Sequence, residues 1–142
     1  MCDCCGCRSD ATIAALSADH ERLTVGAIEV ARSLDAGNMN VAHRAFTELS
    51  SLLTAHTRRD ETGLFAELLA ADELTDAVDA RCAEHDELEA AVDAALLRGS
   101  VEPTAARRAL ALLADHIWRE ETDLFPAAAL ALPAIAFAGA AR

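Results

Sequence analysis

Tyrosine and lysine are absent from this chain of 142 residues, aromatic residues make up only 4% of it, and it has three prolines and six glycines. Without tyrosine, any chemistry resting on a tyrosine ligand or a tyrosyl radical is excluded. The scarcity of aromatic and β-branched residues argues against an all-β fold. A 53% hydrophobic content without biased repeats excludes collagen-like, disordered and low-complexity classes. Basic residues are also few: 12 arginines face 24 acidic residues, a formal net charge of −12. Such a surface repels phosphates and anionic lipid, so neither nucleic acid nor a membrane surface is an expected partner. Long apolar runs are missing too. The most apolar stretch, Ala127 to Ala141, is broken by Pro133 and Gly139 and falls short of the roughly 20 residues a span needs. It is expected to pack on the rest of the fold. The first residues show no secretory leader pattern, so a cytoplasmic location is expected.

What is present favours helix. Alanine is the commonest residue, and Ala, Leu, Glu and Arg are all good helix formers. The length suits one domain with a core of its own. Four helical blocks emerge from the apolar periodicity. The first runs from Ser9 or Asp10 to Leu34 and closes at Gly37, suited to a left-handed C-cap. The second opens at Asn38, a good N-cap, and runs to Ala70 with Leu49, Leu52, Leu53, Leu64 and Leu68 on its apolar face. The third ends at Arg98-Gly99, and the fourth opens at Glu102-Pro103 and reaches Pro126 or beyond. Short connections make neighbours antiparallel, which predicts an all-α, up-down-up-down four-helix bundle over residues 9–142. Residues 1–8 form a cysteine-rich appendage.

The second half of the chain repeats the first. Asp19-His20-Glu21-Arg22-Leu23 in block one is echoed by Glu84-His85-Asp86-Glu87-Leu88 in block three. Block two carries His56-Thr57-Arg58-Arg59-Asp60-Glu61-Thr62-Gly63-Leu64-Phe65, and block four carries His116-Ile117-Trp118-Arg119-Glu120-Glu121-Thr122-Asp123-Leu124-Phe125. Both long motifs read H-x-x-x-[DE]-E-T-x-L-F. A residue four on from a histidine lies about 40° round the helix, on the same face, so Asp60 sits beside His56 and Glu120 beside His116. Both histidines continue leucine stripes that face the bundle axis. One histidine on an apolar face is ordinarily a hydrogen-bonded core residue. Four of them, one per helix, with acid pairs in a duplicated frame, point instead to a metal site, because buried carboxylates are costly unless paired or ligating. His43 lies on another face and reads as a surface residue, and Asp86, Glu87 and Glu67 read as solvated charges.

These four motifs resemble the hemerythrin-like, HHE cation-binding family over residues 10 to 130. The resemblance implies a four-helix bundle with two non-haem iron ions, bridged by carboxylates and an oxo or hydroxo group, that bind O2, peroxide or nitric oxide. It implies His20, His56, His85 and His116 as terminal ligands. The family's bridging acid lies four residues after the histidine, at Asp60 and Glu120, whereas the acid kept as Glu in both halves lies at five, at Glu61 and Glu121. Glu120 is favoured in block four, and block two stays open between Asp60 and Glu61. Oxygen carriers of the family have a further histidine where this chain has Glu89. An anionic side chain there favours Fe(III), and turnover or sensing over transport. Imidazole and carboxylate suit iron, and Mn or Zn can occupy the same cage.

Cys2, Cys4, Cys5 and Cys7 form two overlapping C-x-x-C frames, which suit a second metal or redox thiols more than structural disulfides. Cys82 reads as a small buried residue on the His85 face, and Trp118 as packing near His116. The leading expectation is a diiron protein that binds or senses O2, nitric oxide or peroxide. The alternatives are a diiron enzyme with peroxidase, catalase-like or NO-reducing activity, or an iron-handling module. A redox partner or a second copy of the chain completes the expected partners.

Overall fold

The computed structural model describes residues 11–140, with side chains described as far as residue 132. Four rods follow one another along the chain. The first is α1, Ala11–Asp35. The second joins α2, Met39–Arg59, through a π-helical turn at Asp60–Leu64 to α3, Phe65–Ala70. The third is α4, Thr75–Ala95, and the fourth joins α5, Pro103–Arg119, through a second π-helical turn at Glu120–Leu124 to α6, Phe125–Ala140. They build the all-α four-helix bundle implied by the sequence, with α1 packed along α2 and α4 along α5. Among the described residues no helix is long and apolar enough to cross a membrane.

The connections follow from local chemistry. At the end of α1, Gly37 takes φ +70°. Its N–H donates to Leu34 O while the Asn38 N–H reaches Ser33 O, both at 3.0 Å, so the last carbonyls of the helix are satisfied. The Asn38 side chain then accepts from the Val41 N–H and starts α2. Glu102 caps α5 by accepting from the N–H groups of Thr104 and Ala105, with Pro103 at the first helical position. The third rod departs from expectation. Its helix ends at Ala95, and Leu96–Leu97 pairs antiparallel with Ser100–Val101 around Arg98-Gly99. Gly99 turns the chain with φ +72°, buried Val101 anchors the hairpin, and Ala95 O accepts from the Glu102 N–H at 2.8 Å.

The core comes in two apolar parts. One gathers Leu23, Val30, Phe46, Leu49, Leu53, Leu88, Val92 and Leu113. The other gathers Ile13, Leu16, Leu64, Phe65, Leu68, Val78, Leu124 and Phe125. Along every rod a buried histidine falls between the two parts, so a polar layer crosses the bundle where they meet. The cysteine-rich start, Cys2 to Cys7, lies outside the described residues, as do the side chains of the apolar tail beyond Leu132.

Candidate metal centre

The polar layer consists of His20 from α1, His56 and Asp60 from the second rod, His85 from α4, and His116 and Glu120 from the fourth; Asp60 and Glu120 are fully buried. The π-helical turns explain how two rods keep these residues inside. The buried positions 56, 60, 64 and 68, and likewise 116, 120, 124 and 128, step by four. In a regular α-helix each such step drifts about 40°, or about 120° over three. A π-helical turn accommodates an extra residue and takes up that drift. In each rod the wide turn begins on the acid itself: the Phe65 N–H bonds Asp60 O, and the Phe125 N–H bonds Glu120 O.

All four imidazoles present Nε2 to the centre and Nδ1 to a carboxylate. His20 Nδ1 lies 2.8 Å from Glu121 Oε1, and His85 Nδ1 lies 2.9 Å from Glu61 Oε1. His56 Nδ1 lies 3.1 Å from Asp19 Oδ2, and His116 Nδ1 lies 2.8 Å from Glu84 Oε1. An ionised carboxylate can only accept, so each neutral ring carries its proton on Nδ1 and turns the Nε2 lone pair inward. At the centre, His20 Nε2 and His56 Nε2 are 3.1 Å apart, and His85 Nε2 and His116 Nε2 are 3.3 Å apart. Asp60 Oδ2 stands between His56 and His85 at 3.1 and 3.3 Å. Glu120 Oε1 stands 3.0 Å from both His116 and His20, and 3.5 Å from His56. The two halves of the repeat are thus related by an approximate twofold arrangement. Phe125 stacks on His20 with ring centroids 5.3 Å apart, and Phe65 stacks on His85 at 5.6 Å.

This donor set fits a cation. Lone pairs facing one another at these distances repel unless a proton or a metal ion lies between them. Asp60 Oδ1 and Glu120 Oε2 are buried with no hydrogen-bond partner among the described residues, and Asp60 Oδ2 meets only the ring nitrogens of His56 and His85, a state that is costly unless something positive meets them. One donor atom from each of His56, Asp60, His116 and Glu120 lies within 4.8 Å of the others.

Protons take the place of such a cation in the metal-free chain. Burial works to lower the His56 pKa, yet the Asp60 and Glu120 carboxylates outweigh it and lift it to about 10. His20 and His85 are raised in the same way, against burial, by Glu120 with Glu121 and by Asp60 with Glu61. Burial pushes Glu120 upward, but His116, His20 and His56 hold it well below the usual carboxylate range. Asp19 is likewise lowered despite burial, by Arg59 and His56.

The sequence-predicted residues fall in three places. His20, His56, His85, His116, Asp60 and Glu120 come together at the centre. Glu61 and Glu121 sit on the outer, Nδ1 side of His85 and His20. Glu89 is exposed and lines a cleft of about 260 Å³ together with His85, Glu61, Thr57 and Asp86. His43 is partly exposed and takes no part in the cluster. Trp118 is 63% exposed rather than packed beside His116. Sequence reasoning missed Asp19 and Glu84, whose only signal was an acid directly before a histidine in both halves. It also missed the ring stacking of the two phenylalanines that close the long motifs.

A family model described as the hemerythrin HHE cation binding domain matches residues 11–128. No curated protein and no solved structure matches the chain.

Proposed function

The chain belongs to the hemerythrin HHE cation-binding family, and from that premise we propose that it holds two non-haem iron ions in the polar layer and there binds or senses O2, nitric oxide or peroxide. In this reading His20, His56, His85 and His116 would hold the ions through Nε2, and Asp60 and Glu120 through their carboxylates. The observation that carries it is the orphaned Asp60 Oδ1 and Glu120 Oε2 in a layer where every Nε2 already faces inward. Nitrogen and oxygen donors without thiolate suit iron, with Mn or Zn able to use the same ligands. When bound, the irons would supply redox-active positions at which a small diatomic or peroxide ligand can attach.

The protein's own part is to hold the ligands ready. Glu61, Glu121, Asp19 and Glu84 fix the ring orientations through Nδ1, and carboxylate partners of this kind raise ligand basicity. Phe65 and Phe125 cover the faces of His85 and His20 and keep water from them. The cleft opens beside His85, on the side where Glu61 meets its Nδ1.

Metal analysis of protein expressed in iron-replete medium tests the reading, with about two irons per chain as the expected result by the family resemblance. A chain that takes up neither iron nor another divalent metal would sink it. The cleft and the exposed Glu89 in its wall also favour a second reading, an enzyme of the peroxidase, catalase-like or NO-reducing kind. Steady-state turnover with an electron donor separates that from binding alone.

A further inference from the structure

The two histidine pairs differ in what stands behind their outer carboxylates. Asp19, which accepts from His56, is itself gripped by Arg59 through Nε at 2.8 Å and its terminal nitrogen at 2.7 Å, and by Arg22. Glu84, which accepts from His116, is gripped by Arg119 and by Arg81, the latter at 2.8 Å. Glu61 and Glu121, behind His85 and His20, are reached by no arginine among the described residues. Arg59 and Arg119 each follow their histidine by three residues, at the last α-helical position before the π-helical turn, so the repeat duplicates them along with the ligands. Their side chains are 49% and 42% exposed. The carboxylates they grip are only 3% and 16% exposed, so each arginine compensates a largely buried charge. Each also directs its carboxylate. A planar guanidinium holds such a carboxylate in one orientation.

We propose that Arg59 and Arg119 are positioning residues of the metal centre, acting through Asp19 and Glu84 to lock His56 and His116 with the Nδ1 proton outward and the Nε2 lone pair inward. The proposal rests on the reading of the polar layer as a metal site. His20 and His85 are oriented by carboxylates that no arginine among the described residues grips, Glu121 accepting instead from Ser17 Oγ at 3.2 Å, and by their phenylalanine stacks, so they serve as internal controls.

The test uses the full chain loaded with Zn(II), a diamagnetic probe. Arg59→Gln/Arg119→Gln should keep its helical circular dichroism and bind Zn(II) about tenfold more weakly in chelator competition, at the low end of the loss expected for an outer partner. In 15N-histidine spectra, the Nδ1 protons of His56 and His116 should exchange with water faster than in the parent, while those of His20 and His85 stay unchanged. Arg59→Lys/Arg119→Lys, which keeps the charge and loses the fork, should restore part of the affinity. If the double variant does not fold, Arg59→Gln alone should loosen His56 and leave His116 as it was. Parent affinity together with parent exchange rates in the glutamine variants would overturn the proposal and leave the metal site standing. A parent chain that takes up no metal would instead overturn the metal site itself.

Discussion

Asp60→Asn in the metal-free protein isolates the electrostatics of the centre. Asp60 is fully buried, its Oδ2 lies 3.1 Å from His56 Nε2 and 3.3 Å from His85 Nε2, and its charge is the first of the two that lift His56 to about 10. A histidine whose pKa rises from 6.5 to about 10 on folding stabilises the fold in full below pH 6.5, and that contribution is lost as pH rises through about 10. Converted at 1.36 kcal/mol per pH unit, the whole shift corresponds to roughly 5 kcal/mol, of which roughly 4 remain at pH 7. Glu120, at 3.5 Å, shares the effect. Removing Asp60 alone should therefore cost about 2 kcal/mol at pH 7, or a fall in Tm of about 6–10 °C for a chain of this length. Raising the pH removes the histidine protons but leaves the carboxylates of the parent buried and uncompensated. The gap between parent and variant should then close towards pH 10 and reverse above it. The assay is thermal and urea unfolding of chelator-treated protein from pH 6 to 10.5. A parent whose stability does not fall across this range, or a deficit in the variant that persists unchanged at pH 10.5, would refute the reasoning.

Four further outcomes are expected. His56→Ala and His116→Ala should each lose bound metal while His43→Ala keeps it, and equal losses in all three would mean that the polar layer is not the metal site. Phe125→Ala, which empties a fully buried position and removes the ring stacked on His20, should cost about 3–5 kcal/mol in urea unfolding, and a loss below about 1 kcal/mol would contradict the packing described. Burial, with Glu61, Asp79 and Asp86 nearby, pushes the Cys82 thiol pKa up, so its peptide should alkylate more slowly at pH 8 than a free thiol does, and faster labelling would contradict that environment. Glu89→Gln or Glu89→His should slow air oxidation of the ferrous-loaded protein, because an anion in the wall of the cleft beside His85 favours the more highly charged ions; unchanged rates in both would make Glu89 a bystander.

Much of the fold was legible because helices announce themselves by period and punctuation. The leucine stripes located the rods, and Gly37 with Asn38 located the first turn. The end of the third rod was not legible. Ala94-Ala95-Leu96-Leu97 continues a helical composition without a break, and the hairpin is settled by contacts outside that window: Val101 entering the core and the Glu102 N–H returning to Ala95 O. The exposure of Trp118 was within reach of the helical wheel. Two residues on from His116 is about 200° round, on the far side from the ligand face.

The same wheel shows where sequence reasoning about the site stopped. It places Asp60 and Glu120 beside their histidines, but at 40° per step of four it also predicts that Leu64 and Leu68, or Leu124 and Ala128, drift away from the core. All of them are buried. A stripe that steps by four across three intervals cannot stay inward on an unbroken α-helix, so the sequence already carried the trace of the two π-helical turns, and with it a reason to place Asp60 rather than Glu61 at the centre. The outer carboxylates leave no such trace on a single helix. Asp19 meets His56 across 37 positions, and Glu84 meets His116 across 32. An acid before a histidine therefore looks like a solvated charge until the rods are packed. What duplication adds is that a contact invisible to any one helix must occur twice, in the same sense, if the two helix pairs fold alike. The acid before the histidine in α1 and α4, and the arginine three residues after it in α2 and α5, meet that condition together.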